Sequence, residues 1–167
     1  MKTRRLVLLS LFTAFALIIF TIESAIPVIL PIPGIKLGLA NVVTLVILKQ
    51  YGYKDAFIVL LLRIVFASLF AGQILFLFYS LAGGLASFLA MSLMNALLQN
   101  KYTVIVSIIG AIFHNFGQIL AALFITGSTV VLIYLPFLLL SGLITGCFIG
   151  YVADFTSKKL RIILNDY

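Results

Sequence analysis

The sequence predicts an all-α integral membrane protein, folded as a compact bundle of six transmembrane helices. Of its 167 residues, 64% are hydrophobic and 9% are charged, and the mean hydropathy is +1.31. Such a composition needs lipid around the protein, because a soluble domain could not bury so much apolar surface. Long uninterrupted apolar runs, such as residues 6–20, favour helices over the alternating strands of a barrel.

Six apolar stretches fit membrane spans, and the connections between them leave no room for a soluble domain. We place the spans at 6–26, 35–50, 55–71, 74–98, 103–126 and 130–152. The second and third are near the lower length limit for crossing the hydrocarbon. In the tail, residues 153–167, apolar and basic side chains alternate, which predicts a short cytoplasmic interfacial helix. We therefore expect residues 1–167 to form one transmembrane domain.

The basic residues predict the orientation of this bundle. With a cytoplasmic N-terminus, nine of the eleven lie inside, whereas Lys36 lies at the outer face and Arg63 within a span. This positive-inside bias predicts a multi-pass protein of the cell membrane with both termini in the cytoplasm. The positive charge is thus a topology signal and an attraction to anionic membrane lipid. No nucleic-acid partner is expected.

Residues 27–41 interrupt the helical pattern. Three prolines and Gly34 fall within residues 27–34, so no continuous helix can cross this point. Two interpretations remain open. The segment is a lid or re-entrant element over a site, since irregular backbone at membrane depth is tolerated where it lines a cavity. Alternatively, it is a rigid interhelical turn that places Lys36 at the lipid headgroups.

Polar side chains within spans are costly in lipid, so their depth carries information. Counting about 1.5 Å of rise per residue, we expect a polar layer in the outer half of the bundle, closed by residues 27–41. The alternative is that these groups hydrogen-bond one another and only lock the bundle. The same counting places Arg63 in the inner half, where it would reach helix-end carbonyls or the cytoplasmic boundary. The substrate-binding candidates are Glu23, Lys36, Asn41, Tyr79, His114, Asn115 and Gln118.

Small residues repeat every four positions on three of the predicted spans, which lets helix backbones approach closely in lipid. We expect most of these ridges to pack within the bundle. The ridges are Gly142, Gly146 and Gly150 on the sixth span, Ala82, Ala86 and Ala90 on the fourth, and Ser10 and Ala14 on the first.

Catalytic chemistry is not indicated. The chain has four acidic residues, too few to converge on the magnesium ions of a diphosphate enzyme. The single cysteine, Cys147, leaves no internal disulfide and no multi-cysteine metal site. The sequence therefore predicts no catalytic residue, no metal and no cofactor. It also has no nucleotide-binding glycine loop, so ATP-driven work would need a partner.

The run Pro-Gly-Ile-Lys-Leu-Gly-Leu-Ala-Asn at 33–41 resembles the signature of the heptaprenyl diphosphate synthase component I family, also called Gx transporter proteins. Further matching pieces are Tyr-Gly-Tyr-Lys-Asp-Ala at 51–56, Arg63, Ser80 with Gly83-Gly84, and His114-Asn115 with Gly117-Gln118. This family is similar to the substrate-binding S components of energy-coupling factor (ECF) transporters. The resemblance implies a six-helix bundle with an outward pocket and a first-loop lid.

The resemblance also implies partners and a substrate class. S components work with a transmembrane coupling subunit and two ATPase subunits, and dock through an Ala-x-x-x-Ala ridge on the first helix. The nearest equivalent here is Ser10 with Ala14. The implied substrate is a small organic molecule, either isoprenoid, quinone-precursor or flavin-related. The runner-up hypothesis is a membrane partner subunit of a polyprenyl (heptaprenyl) diphosphate synthase or a quinone-pathway enzyme. A third is a structural subunit of a membrane redox complex.

Overall fold

The structure is a computed structural model that describes residues 2–25, 36–72 and 74–165. Within these ranges the chain is helical and contains no strand. Residues 26–35, which hold most of the predicted lid, lie outside the described residues. The elements are α1 (Lys2–Ala25), α2 (Asn41–Gln50), α3 (Tyr53–Ala71), α4 (Ile74–Leu97), α5 (Thr103–Thr126), a 3-10 helix (Thr129–Tyr134) and α6 (Leu135–Asn165).

Four helical segments are long and apolar enough to cross a membrane: Arg5–Ala25, Ile74–Leu97, Thr103–Thr126 and Thr129–Ile162. The chain is thus an all-α membrane protein. The third predicted span, α3, has 19 residues and is about 28 Å long, but it carries three charged side chains. It is therefore long enough for the hydrocarbon core and unusually polar for it.

The second predicted span does not form a full-length helix. Residues 36–40 have irregular backbone, and α2 begins at Asn41 and has 10 residues. It is therefore about 15 Å long, roughly half the thickness of the hydrocarbon core. Seven of its ten residues are buried, so neighbouring helices surround this short helix on nearly every side. The apolar pattern that suggested a span reflects burial in protein instead.

The end of the chain also differs from the prediction. The helix α6 continues without a break from Leu135 to Asn165, so the tail at 153–165 extends the last span instead of forming a separate helix. At its start, Pro136 lies in the first turn of α6, where a missing N–H costs no helical hydrogen bond. The preceding 3-10 helix connects this turn to α5.

One end of the bundle, here called the basic end, gathers the loops at 51–52 and 99–102 with most of the lysines. There Arg5 of α1 holds Asp55 of α3 through two hydrogen bonds, of 2.9 Å and 2.5 Å. Such a bidentate pair is geometrically specific. It fixes the start of α1 against the start of α3.

Two of the small-residue ridges pack inside the bundle, as predicted. A Cβ on Gly117 of α5 would lie 2.5 Å from the Ala82 carbonyl oxygen of α4. A Cβ on Gly146 of α6 would lie 2.7 Å from the Ile108 Cα of α5. The helices α4, α5 and α6 therefore approach one another at backbone distance. By contrast, Ser10 and Ala14 on α1 are exposed at the surface.

Replacing Gly146 with Leu should destabilise the bundle, because the added side chain meets the backbone of α5, which cannot rotate away. We expect a loss of about 3 kcal/mol or more in the free energy of unfolding. The matched control is Cys147→Leu, which adds bulk at the next, exposed position and should change stability by less than about 0.5 kcal/mol. Thermal unfolding in detergent measures both variants. Equal stability of the two would show that α5 and α6 do not pack at backbone distance.

Candidate functional site

The irregular segment 36–40 is held at the middle of the bundle by a carboxylate. Glu23, near the end of α1, is 3% exposed. Its Oε1 accepts a hydrogen bond from the Gly38 N–H at 2.6 Å, and its Oε2 accepts one from the Leu39 N–H at 3.1 Å. These N–H groups precede the first turn of α2, where a negative charge is favourable. Glu23 thus satisfies backbone donors that would otherwise be unpaired in an apolar environment.

A second clamp comes from α5. The Gln118 side chain is 1% exposed, and its amide faces the backbone of Lys36. Its nitrogen donates to the Lys36 carbonyl at 2.9 Å, and its oxygen accepts from the Lys36 N–H at 3.2 Å and from His114 Nε2 at 3.3 Å. The amide therefore pairs with one residue of the segment as a neighbouring strand would. His114 in turn fixes the orientation of the amide.

His114 lies between two glycines. A Cβ on Gly38 would lie 2.7 Å from His114 Cδ2, and a Cβ on Gly83 of α4 would lie 2.9 Å from His114 Cε1. Only glycine lets both backbones reach the imidazole. Gly38 also has a φ of +80°, in the left-handed region that other residues rarely adopt. This pairing explains why the segment needs a glycine at that position.

Arg63 belongs to the same layer, which corrects the expectation that it reaches the basic end. It is 6% exposed, and its guanidinium donates to Asn41 Oδ1 at 3.1 Å. Because α2 is only half a span, Asn41 at its start lies at mid-depth, as Arg63 does in the middle of α3. Helix counting from the sequence placed Asn41 in the outer half and Arg63 in the inner half, so this contact was not predicted.

Lys36 is buried among aromatic rings. It is 8% exposed, and its Nζ lies 3.3 Å from the centroid of the Phe20 ring and 4.9 Å from that of Phe76. It also hydrogen-bonds the Ser24 hydroxyl. Cation–π contacts are strongest when the cation is desolvated, as here. Lys36 is thus turned into the protein and does not extend to the lipid headgroups.

These elements line a cavity of about 20 Å³, which is room for about one water molecule. Its polar lining has two cations, Lys36 and Arg63, and one carboxylate, Glu23, so the formal charge is positive by one. The cavity as it stands cannot hold an organic molecule. The lining residues are Phe20, Glu23, Lys36, Gly38, Ala40, Arg63, Ile64, Ala67, Ser80, His114 and Gln118.

Four of the seven sequence candidates line this cavity: Glu23, Lys36, His114 and Gln118. A fifth, Asn41, adjoins it through Arg63. The other two lie elsewhere. Tyr79 packs in an apolar cluster with Ile119 and Leu138. Asn115 faces α6, where its Nδ2 donates to the Leu138 carbonyl at 2.5 Å. Adjacent helical positions point about 100° apart, so Asn115 cannot share the direction of His114.

Sequence reasoning missed three polar or aromatic residues as members of the site: Arg63, Ser80 and Phe20. Arg63 could have been included, because a buried cation in a span marks a functional site by default. Ser80 lies one turn before Gly84 on the face of α4 that carries Gly83, and that glycine pair was a usable signal. Nothing in the sequence distinguishes Phe20 from the other phenylalanines of α1.

Fold and site together define a helical membrane protein with a small, charged cavity beside an irregular segment. The family model for heptaprenyl diphosphate synthase component I matches residues 12–156. The chain belongs to this family. The match covers all six helices at least in part and includes every residue that lines the cavity. Comparisons with curated proteins and with solved structures gave no match.

Replacing Gly38 with Ala should displace the segment 36–40, because the new methyl group meets the His114 ring. Gly127→Ala is the matched control: Gly127 also has positive φ, +62°, but a Cβ there meets nothing within 4 Å. The control should lose about 1–2 kcal/mol of stability from backbone strain alone. Gly38→Ala should lose a further 1–3 kcal/mol, roughly, from the clash. Thermal unfolding of both variants gives the comparison, and equal losses would show that the segment does not pack on His114.

Proposed function

We propose that this protein is a substrate-binding membrane component, similar to an ECF S component, that captures a small organic anion. The observation that carries the proposal is the buried cluster of Lys36, Arg63 and Glu23, with one positive charge in excess. Buried ionisable groups within a bundle are expensive and usually serve a ligand or ion. An anionic group on the substrate would balance the charge.

The aromatic and amide groups around the cluster suit a planar ligand. Phe20 and Phe76 flank Lys36, and Asn41 Nδ2 is buried without a hydrogen-bond partner among the described residues. An arginine offers two parallel donors that match a carboxylate or phosphate. Quinone-precursor, flavin-related and isoprenoid compounds with an anionic group all fit this chemistry.

Binding of such a molecule requires the segment 36–40 to move, because the cavity holds only about one water. The structure then shows segment 36–40 in the position that closes the site. Glu23 and Gln118 hold the segment by four hydrogen bonds in total, two from each side chain. Opening exposes those side chains. A substrate that offers a hydrogen-bond donor to Glu23 and a polar group to Gln118 replaces part of the bonds that are lost. This arrangement couples substrate binding to the position of the segment.

We further propose the orientation that the basic residues favour, with the basic end and both termini in the cytoplasm of a multi-pass cell-membrane protein. The cavity then lies towards the outer face, as an uptake component needs. Labelling of a Thr3→Cys variant in a Cys147→Ser background tests this. Labelling of this cysteine by a reagent added outside intact cells would show the opposite orientation, which is incompatible with the uptake role.

A second candidate function follows from the family name: a membrane partner of a prenyl diphosphate synthase. The observation that favours it is the basic end, which carries a wider open pocket than the buried site. Purification from native membranes separates the two candidates. A transmembrane coupling subunit with ATPases supports the transport role, whereas a soluble synthase supports the second.

Lys36→Met should weaken binding of an anionic substrate while keeping the apolar stem between the aromatic rings. We expect affinity to fall at least about tenfold, because a charge-assisted hydrogen bond is lost. Lys159→Met is the matched control, since Lys159 also lies over a ring, Phe155, at 5.8 Å, but at the exposed basic end. Titration of nanodisc-embedded protein with a hydroxynaphthoate, riboflavin phosphate and a short prenyl diphosphate measures both variants. If the wild type binds none of them, and retains no small molecule from native membranes, the proposal is wrong.

Ala14→Leu should block docking of a transmembrane partner without unfolding the protein. Ser10 and Ala14 form an exposed small-residue strip on α1, and bulk on such a strip prevents close helix packing. Ala96→Leu, at an exposed alanine of α4, is the control. We expect Ala14→Leu to abolish partner co-purification and uptake, with ligand affinity and thermal stability unchanged. Loss of partners in both variants, or in neither, would remove Ser10 and Ala14 as the docking surface.

A further inference from the structure

A second pocket lies at the basic end, at the opposite end of the bundle from α1's Glu23. It forms where the end of α2, the connection between α4 and α5, and the last turns of α6 meet. Its volume is about 240 Å³, below the roughly 300–1,000 Å³ of sites for drug-sized ligands. The size suits a headgroup or a small anion. Nothing in the proposed transport site uses it.

The pocket is strongly positive. Four basic side chains line it, from Lys49, Lys101, Lys158 and Arg161, against one carboxylate, Asp154. That carboxylate is already engaged, because its oxygens bind Lys158 at 2.7 Å and the Thr103 hydroxyl at 2.9 Å. The remaining cations have no acid to balance them inside the pocket. The side chains of Lys101 and Arg161 make no hydrogen bond or ion pair within the described part of the chain.

Several side chains of the pocket are also held in fixed positions by hydrogen bonds to neighbouring helices. Lys49 hydrogen-bonds the Thr103 hydroxyl, which in turn donates to Asp154, so the ammonium of Lys49 has a set position. Gln50 Nε2, at the end of α2, donates to the Ser157 carbonyl of α6 at 2.7 Å. The Ser157 residue is 6% exposed, and its hydroxyl is buried with no hydrogen-bond partner among the described residues. A buried, unpaired donor beside several cations points to an oxyanion acceptor.

The start of α5 adds to this field. Tyr102 precedes the helix, next to Lys101, and its side chain makes no hydrogen bond to the first backbone N–H groups of α5. Helix N-termini favour anions through these groups and through the helix dipole. The charge, the fixed side chains and the helix start all favour the same kind of ligand.

We propose that this basic pocket is a phosphate-binding site. Its ligand is the phosphate of an anionic lipid headgroup, entering from the adjacent membrane surface, or the phosphate groups of a soluble phosphate ester. Both sources share the chemistry that the pocket recognises: several acceptor oxygens and at least one negative charge. The site is independent of the transport role, because it shares no residue with the buried cavity.

The test uses the full chain in nanodiscs of a zwitterionic lipid. One arm titrates inorganic phosphate and inorganic diphosphate; the other replaces the lipid stepwise by phosphatidylglycerol and counts retained anionic lipid by native mass spectrometry. The pocket variant is Lys101→Gln with Arg161→Gln, which removes two cations that hold nothing else together. The matched control is Lys54→Gln with Lys159→Gln, which removes the same charge from exposed positions outside the pocket.

We expect the pocket variant to lose at least about tenfold in affinity for one of the two ligands, and the control less than about threefold. Binding in the first arm identifies a soluble phosphate compound, and binding in the second identifies a lipid. Ser157→Ala changes no charge and should still weaken binding, by about threefold or more, through the lost hydroxyl. Equal losses in pocket variant and control, full affinity in Ser157→Ala, or no binding by the wild type would each overturn the proposal.

Discussion

The need to satisfy backbone hydrogen bonds within a membrane protein shapes the centre of this molecule. A helix of ten residues crosses only half of the hydrocarbon, and residues 36–40 before it lie in the bundle as irregular backbone. Such backbone is tolerated only where protein groups bind its N–H and C=O groups. Glu23 and Gln118 bind those groups at residues 36, 38 and 39. The half-length helix, the buried carboxylate and the buried amide therefore depend on one another.

This dependence gives a second role to residues that the sequence suggested as ligand groups. Buried polar side chains are rare in spans, which favours Glu23 and Gln118 as ligand groups, but in this structure they bind the backbone of segment 36–40. The two roles are compatible, since a substrate that displaces the segment can hydrogen-bond to the same side chains, Glu23 and Gln118. The alternative role, in which polar groups only lock the bundle, does describe Asn115, which joins α5 to α6 through the Leu138 carbonyl.

The sequence could predict the class, most helix positions and the inward ridges, because hydropathy and four-residue spacing report lipid contact and close packing directly. It could not predict where α2 begins. Residues 35–40 are as apolar as a span, and apolar character does not distinguish lipid from protein surroundings. The depth of Arg63, counted along its own helix, was also wrong, because that count placed it in the inner half, away from the polar layer that it joins. The direction in which a side chain points around its helix was also not predicted. Depth alone grouped Tyr79 and Asn115 with His114, although these side chains face different helices.

The site lies between two parts of the bundle that are packed differently. The helices α4, α5 and α6 meet through glycine and alanine ridges at backbone distance, where Gly117 faces Ala82 and Gly146 faces Ile108. Backbone contacts of this kind cannot slide without steric clash. On the other side, α1 and the segment 36–40 reach the site through side chains of Glu23, Lys36 and Phe20, which can change rotamer. Motion that admits a ligand should therefore fall on α1 and on the segment, while α4, α5 and α6 keep His114 and Gln118 in place as the fixed wall of the site.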